Sequence, residues 1–260
     1  MIEQRPLAEL ANDRRFPPDP QFGLVYAALA AGNSQGSYWH AATWSSCWDQ
    51  ANNVLYLAGD RALDHAEFNQ HWLQTVVPAM PARHVIKLRL LRNSQLELSD
   101  LLSPYQAQPS SSYFFRDYQQ TLANNQLASQ FALRQLDAEL LQLPSAQPII
   151  QEISWMWPSL ERFLSNGLGL AICGKQTIVA WCTAEYLSAD RCGLGIETVE
   201  AYQKQGLGFH LATAMLAACR QRGLQAHWEC SSKNLASYRL AQKLGLQQQP
   251  GLISYGLVWL

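Results

Sequence analysis

Charge is scarce in this chain and its cysteines fall into no pattern, and each shortage closes a functional class. Charged residues make up 15% of the sequence, with 19 Lys and Arg against 20 Asp and Glu. The basic footprint that a nucleic-acid partner requires is missing, so none is expected. No uncharged apolar run reaches the roughly 18 residues of a membrane-spanning helix. The amino terminus, Met1-Ile-Glu-Gln-Arg-Pro, shows no basic region leading into an apolar stretch. The expectation is a cytoplasmic protein with no membrane partner. Six cysteines at 47, 173, 182, 192, 219 and 230 never come as Cys-x-x-Cys. Metal ligation and a secreted disulfide framework both want tighter pairing, so buried free thiols and no metal are expected.

What the chain does have is apolar bulk. Its 260 residues are 48% hydrophobic, enough for one large core or two modest ones. Nine tryptophans can serve as core or as the walls of a pocket. Leu143-Pro144-Ser145-Ala146-Gln147-Pro148 punctuates the chain and divides it into an expected first domain over 1–143 and a second over 144–260. In the first, Phe22 to Leu29 suits either a helix or a buried strand. Ser37 to Thr43, Val54 to Ala58 and His84 to Leu91 read as strands, and His65 to Val77 has helical spacing. Ser99 to Ser112 reads as a surface connection and Gln119 to Leu143 as one or two linker helices. In the second, Ile150 to Leu164 reads as a helix, Leu168 to Cys173 and Thr177 to Tyr186 as the arms of a hairpin, and Ser254 to Leu260 as a closing strand.

Chemistry concentrates between Gly195 and Ala212. Cys192 to Val199 is apolar and β-branched enough for a strand, while Leu207, Leu211, Met215 and Leu216 recur at the spacing that gives a helix one buried face. Between them lies Gln203-x-x-Gly206-x-Gly208. Two glycines at a helix opening let the backbone approach an anion, which the helix's unpaired N–H groups and positive dipole end then hold. This motif resembles the pyrophosphate loop of the GNAT acyltransferase superfamily. Downstream, Asn234-x-x-Ser237-x-x-Leu240-Ala241-x-Lys243-Leu244-Gly245-Leu246 is similar to the superfamily's Asn-x-x-Ala-x-x-Leu-Tyr-x-Lys-Leu-Gly-Phe helix. Upstream, Ile149 to Tyr186 resembles the helix and hairpin that precede the loop. Gly195-Ile-Glu-Thr198, Trp228-x-Cys230 and Asn234-x-x-Ser237 are similar to the subfamily that includes the zwittermicin A resistance acetyltransferase.

The resemblance implies a mixed α+β fold. The C-terminal half would carry the GNAT fold, and the smaller α+β N-terminal half would be either a degenerate duplicate of it or an unrelated cap. The implied activity is transfer of an acetyl group from acetyl-CoA to the amine of a small molecule, such as an amino sugar, an aminopolyol antibiotic or another amino compound, by a monomer or homodimer. Antibiotic resistance is implied by the subfamily. The cofactor's pyrophosphate would rest on the backbone N–H groups of Lys204, Gln205, Gly206, Leu207, Gly208 and Phe209, behind Gln203. Its pantetheine arm would follow Thr198 and Val199, with Asn234 and Ser237 at the end of the next strand. Glu197 is the first candidate for the base that frees the amine, with Glu185 and Glu229 competing. The superfamily's usual acid, a Tyr at the position of Ala241, is missing. Tyr238, one turn earlier, is the candidate replacement, with Ser237 or water as alternatives. That missing tyrosine keeps open a second reading, a non-catalytic CoA-sensing or interaction module.

Overall fold

The computed structural model describes residues 2–19, 22–59, 65–71, 74–75, 85–91, 106–117 and 127–258. They pack as two units, Met1–Ser111 with Leu252–Leu260, and Ser112–Gly251. The proline-marked boundary at 143/144 lies within the second.

In the first unit, β1 (Glu3–Arg5), β2 (Gly36–His40), β3 (Trp44–Asp49) and β4 (Val54–Gly59) run antiparallel to their neighbours. Strand β5 (Val85–Leu90) lies parallel to β4, and the end of β12 (Gln247–Val258) closes the order antiparallel to β5, from Tyr255↔Leu88 to Val258↔Val85. Phe22 to Leu29, ambiguous from sequence, forms helix α1 (Gly23–Ala30). Phe22 meets Tyr56 on one face of the sheet, and Phe68 of α2 (His65–His71) meets Trp44 on the other. Strand β3 lies outside every expected strand. Its polar Ser45, Ser46 and Asp49 are all buried, because a strand covered on both faces shows no outward polar alternation.

The second unit repeats this order with its own strands. From the edge inward come β7 (Phe131–Gln135), β8 (Gly169–Gly174), β9 (Thr177–Leu187) and β10 (Arg191–Thr198), all antiparallel. Next come β11 (Gln225–Ser231), parallel to β10, and the Ser112–Arg116 part of β6 (Gln106–Arg116), antiparallel to β11. Both units therefore run four antiparallel strands, a parallel step and a final antiparallel strand. The final strands are exchanged: β6 follows β5 in the chain yet pairs with β11, and β12 follows β11 yet pairs with β5. The order of elements is that of a duplicated fold.

Helices α3 (Gln147–Met156) and α4 (Leu160–Asn166) precede β8, α5 (Leu207–Gln221) joins β10 to β11, and α6 (Leu235–Lys243) follows β11. The long apolar face of α5 buries Leu207, Leu211, Met215, Leu216 and Cys219 against the sheet, each large side chain contributing ~1.5–3 kcal/mol. Beside it, Arg220 forms a two-pronged ion pair with buried Asp117 at 2.9 and 3.1 Å.

Several expectations are corrected. The single helix over 150–164 is two, because Pro158 forces Trp157 into an extended conformation and ends α3. Trp157 and Phe163 pack against each other as core, with ring centroids 5.4 Å apart. Within the expected linker helices, Phe131–Gln135 is strand β7, paired with Leu170–Gly174 of β8; residues 118–126 lie outside the described residues. The expected surface connection over 99–112 becomes strand from Gln106 onward, drawn into the sheet by buried Phe114 and Phe115; 99–105 again lie outside the described residues. All six cysteines are free and buried.

Candidate active site

The loop from β10 to α5 is shaped by two left-handed residues. Lys204 has φ +61° and Gly206, at the helix cap, has φ +82°. An L side chain at 206 would be strained in that conformation, and the space beyond its missing Cβ is open. Among the described residues, the N–H groups of Lys204, Gln205, Gly206, Leu207 and Gly208 donate to no acceptor in the chain. The N–H of Phe209, also expected in the cradle, turns inward to Gly206 O at 3.1 Å. A row of exposed donors at the positive end of a 15-residue helix is chemistry for an anion. Gln203 is not part of that row. Its amide donates to Thr198 O at 3.1 Å and ties the loop back to β10.

Strand β10 leads into this loop through a split in the sheet. Among the described residues it pairs with β11 at Arg191, Cys192 and Gly193, and from Leu194 to Thr198 its strand partner is β9. The edge of β10 that would have met β11 is therefore available to an extended ligand, in the manner of an added strand. Thr198 and Val199 stand where this edge reaches the loop. The N–H of Val199 is taken by Val179 O at 2.9 Å.

Carboxylates gather on the sheet face opposite α5. Glu197 pairs with Trp181 in the register, and Gly195 with Thr183. Trp181 Nε1 donates to Glu152 of α3 at 2.8 Å, and Thr183 Oγ1 donates to the other oxygen of Glu152. Glu152 is thus clamped over β9, and its charge together with burial pushes the pKa of Glu197 up from the usual carboxylate value, burial being the larger cause. Glu185 is the residue left out of the β9–β10 register beside Gly193/Leu194. A Cβ at Gly195 would collide with its carboxylate, so the glycine makes room for Glu185 across β10. Parallel pairing of Gly193 with His227 puts Glu229, two residues on, on the same face. Glu152 escaped the sequence reading. Its signal was only one acidic side chain on an amphipathic helix, and nothing local tells which strand that helix covers.

The α6 residues occupy a different setting. Asn234 caps α6, its Oδ1 accepting from Ser237 N at 3.1 Å, while Ser237 Oγ accepts from Trp228 Nε1 at 3.0 Å. Tyr238 packs on β6, with ring centroids 4.6 Å from Tyr113 and 5.6 Å from Phe115. Its hydroxyl accepts from Gln242 Nε2 at 3.1 Å and donates to Gln248 Oε1 at 3.3 Å. Strand β6 borders β11 on the side away from β10, so the structure does not bring Tyr238 together with Glu197. Ala241 is fully buried, and Leu240 of α6 reaches toward the loop, its Cδ2 lying 3.7 Å from where a Cβ at Gly208 would stand.

A split parallel strand pair that ends in a row of unpaired N–H donors, with carboxylates on the facing surface, is an arrangement suited to acyl transfer. The chain matches the family described as GNAT acetyltransferase over residues 24–255. It belongs to that family. A Bacillus subtilis (strain 168) protein named uncharacterized N-acetyltransferase YdfB is 29% identical over 136 residues, which are 52% of this chain and 51% of that protein. The match thus spans about half the length of this curated relative. Among solved structures, a GCN5-related N-acetyltransferase-like protein from Streptococcus suis aligns with a TM-score of 0.68 at 17% identity, covering 96% of this chain and 98% of the other. A tandem GNAT protein from the clavulanic acid biosynthesis pathway aligns with a TM-score of 0.60 at 11% identity, covering 98% of each chain. At such identities the likeness is one of fold.

Proposed function

We propose that this acetyltransferase moves the acetyl group of acetyl-CoA to the amine of a small cationic acceptor, and that residues 144–260 hold the whole transfer machinery. The divergence of β10 from β11 after Gly193, ending at the row of N–H donors from Lys204 to Gly208, carries the reading. That row fits a pyrophosphate, and the open edge of β10 fits an amide-bearing arm. Bound there, acetyl-CoA supplies an acetyl group activated as a thioester.

The chain's own residues do the rest. Glu152, Glu185, Glu197 and Glu229 give the facing surface a negative field that draws in an ammonium group. Glu197, with its raised pKa, takes one proton from that ammonium and leaves the nitrogen lone pair free to form the new amide bond as the carbon–sulfur bond breaks. A thiol with a pKa of about 8.5 is a tolerable leaving group without a protein acid. The hydroxyl of Tyr238 is held by Gln242 and Gln248, so the second proton that the nitrogen loses on forming the amide passes through water to the departing thiolate. The acceptor class is an amino sugar, aminopolyol or similar amine, and the resemblance to the zwittermicin subfamily supports inactivation of an amine antibiotic in the cytoplasm.

The test is calorimetric titration with acetyl-CoA followed by a thiol-release assay over a panel of such amines. Binding with turnover on at least one amine is expected. Absence of acetyl-CoA binding would overturn the cradle and the reading with it.

A further inference from the structure

The first unit holds buried polar atoms without partners among the described residues, and two of the side chains that carry them line one opening. Register places Gln4 of β1, Trp39 of β2 and Ser46 of β3 in one row, and Trp44, two residues from Ser46, on the same face. On that face Trp39 Nε1, Trp44 Nε1, Ser46 Oγ and His71 Nε2 have no hydrogen-bond partner among the described residues. The His71 ring stands edge-on to Trp39, with centroids 5.1 Å apart, and lies 5.4 Å from Trp44. Native interiors seldom leave such groups unmatched. Trp39 and His71, 3% and 6% exposed, also line a cavity of about 420 Å³ together with Gln4, Glu67, Gln70 and Gln74.

The lining selects a chemical class. Among the described residues no Lys or Arg borders the cavity, so a phosphate or carboxylate would meet no counter-charge from them. Burial pushes the pKa of His71 down to about 4, which leaves the ring neutral at physiological pH. An indole N–H only donates. An alkylammonium also only donates and cannot match it. A hydroxyl both accepts and donates, and so answers Trp39 Nε1, either state of His71 Nε2, the Glu67 carboxylate and the amides of Gln70 and Gln74 alike. The volume falls within the ~300–1,000 Å³ of small-molecule sites.

We propose that this cavity is a binding site for a neutral, hydroxyl-rich small molecule of monosaccharide size, with Trp39 donating to a ligand oxygen and His71 Nε2 hydrogen-bonded to a ligand hydroxyl. The site belongs to the first unit and does not depend on the acyl-transfer reading.

The experiment is ligand-observed NMR and calorimetry on the full-length protein, with D-glucose, D-mannose and myo-inositol as probes and inorganic phosphate and ethanolamine as counter-probes. At least one hydroxylated probe is expected to bind saturably, and both counter-probes are expected to leave its affinity unchanged. Trp39→Phe keeps the ring and removes the donor, and should weaken that probe at least tenfold while acetyl-CoA affinity stays the same. Should Trp39→Phe fail to fold, the exposed pair Gln70→Ala and Gln74→Ala provides the same reading, with at least a threefold loss expected. The proposal is overturned by no binding of any hydroxylated probe, by affinity unchanged in the folded variants, or by phosphate or ethanolamine binding in the probe's place.

Discussion

The two units share an order of strands, and they differ at the one place where chemistry would sit. In the first, β4 and β5 stay paired from Val54↔Lys87 through Leu57↔Leu90, and every residue of β4 is buried. In the second, β10 leaves β11 after Gly193 and carries Glu197 toward the surface. The connections that follow differ as well. Gly206 and Gly208 open α5, whereas no glycine occurs between Gly59 and Gly167 of the sequence. A sheet that stays zipped has its backbone groups satisfied by neighbouring strands and offers none to a ligand. Among its described residues the first unit repeats the topology without the split.

The sharpest way to break this comparison is stoichiometry. Wild-type protein should bind one acetyl-CoA per chain, and Gly206→Val should reduce that to none while far-UV circular dichroism is preserved. The branched side chain is strained at positive φ by roughly 1–2 kcal/mol and occupies the anion's place. Two equivalents in wild type, or one remaining in the variant, would place a cofactor site elsewhere. Next in size is Glu197→Gln, for which kcat should fall by about 10²–10⁴ with acetyl-CoA affinity intact; equal turnover would remove Glu197 as the base.

The pH dependence refines the same point. A raised pKa keeps Glu197 protonated to higher pH than an ordinary carboxyl, so kcat/KM should rise with pH along a limb displaced above about 4.3. Glu152→Gln removes the neighbouring charge, lowers the pKa of Glu197 and should move that limb to lower pH, with kcat at its plateau changed by roughly threefold or less. A limb that stays in place would mean that Glu152 only packs α3 onto β9. Smallest of all, Tyr238→Phe should alter kcat by less than about threefold, because its hydroxyl is engaged on the β6 side. A hundredfold loss would restore it as the acid.

Legibility in the sequence followed the range of the interactions. The cradle could be read because a glycine that needs positive φ and the helix it caps are neighbours in the chain. The strands around it could be read because their apolar runs are local. Strand β7 could not, since Phe131-Ala-Leu-Arg-Gln carries no strong preference of its own and becomes a strand by pairing with β8. Nor could β3, whose serines and aspartate imitate a turn until both faces are covered. Asn234 showed itself as important but not in what way, because the same asparagine can cap a helix or meet a ligand.

By itself the sequence determined the family and pointed to the candidate cradle and the candidate carboxylate at 197, because each rests on residues within a few positions of one another. Only the tertiary structure decided that Glu152 stands beside Glu197, that Tyr238 faces β6, that the halves exchange their last strands, and that Trp39 and His71 meet at one opening. Each of those facts depends on which distant segment packs where, and the free energy that settles it comes from burial and pairing across the whole fold, which no local pattern encodes.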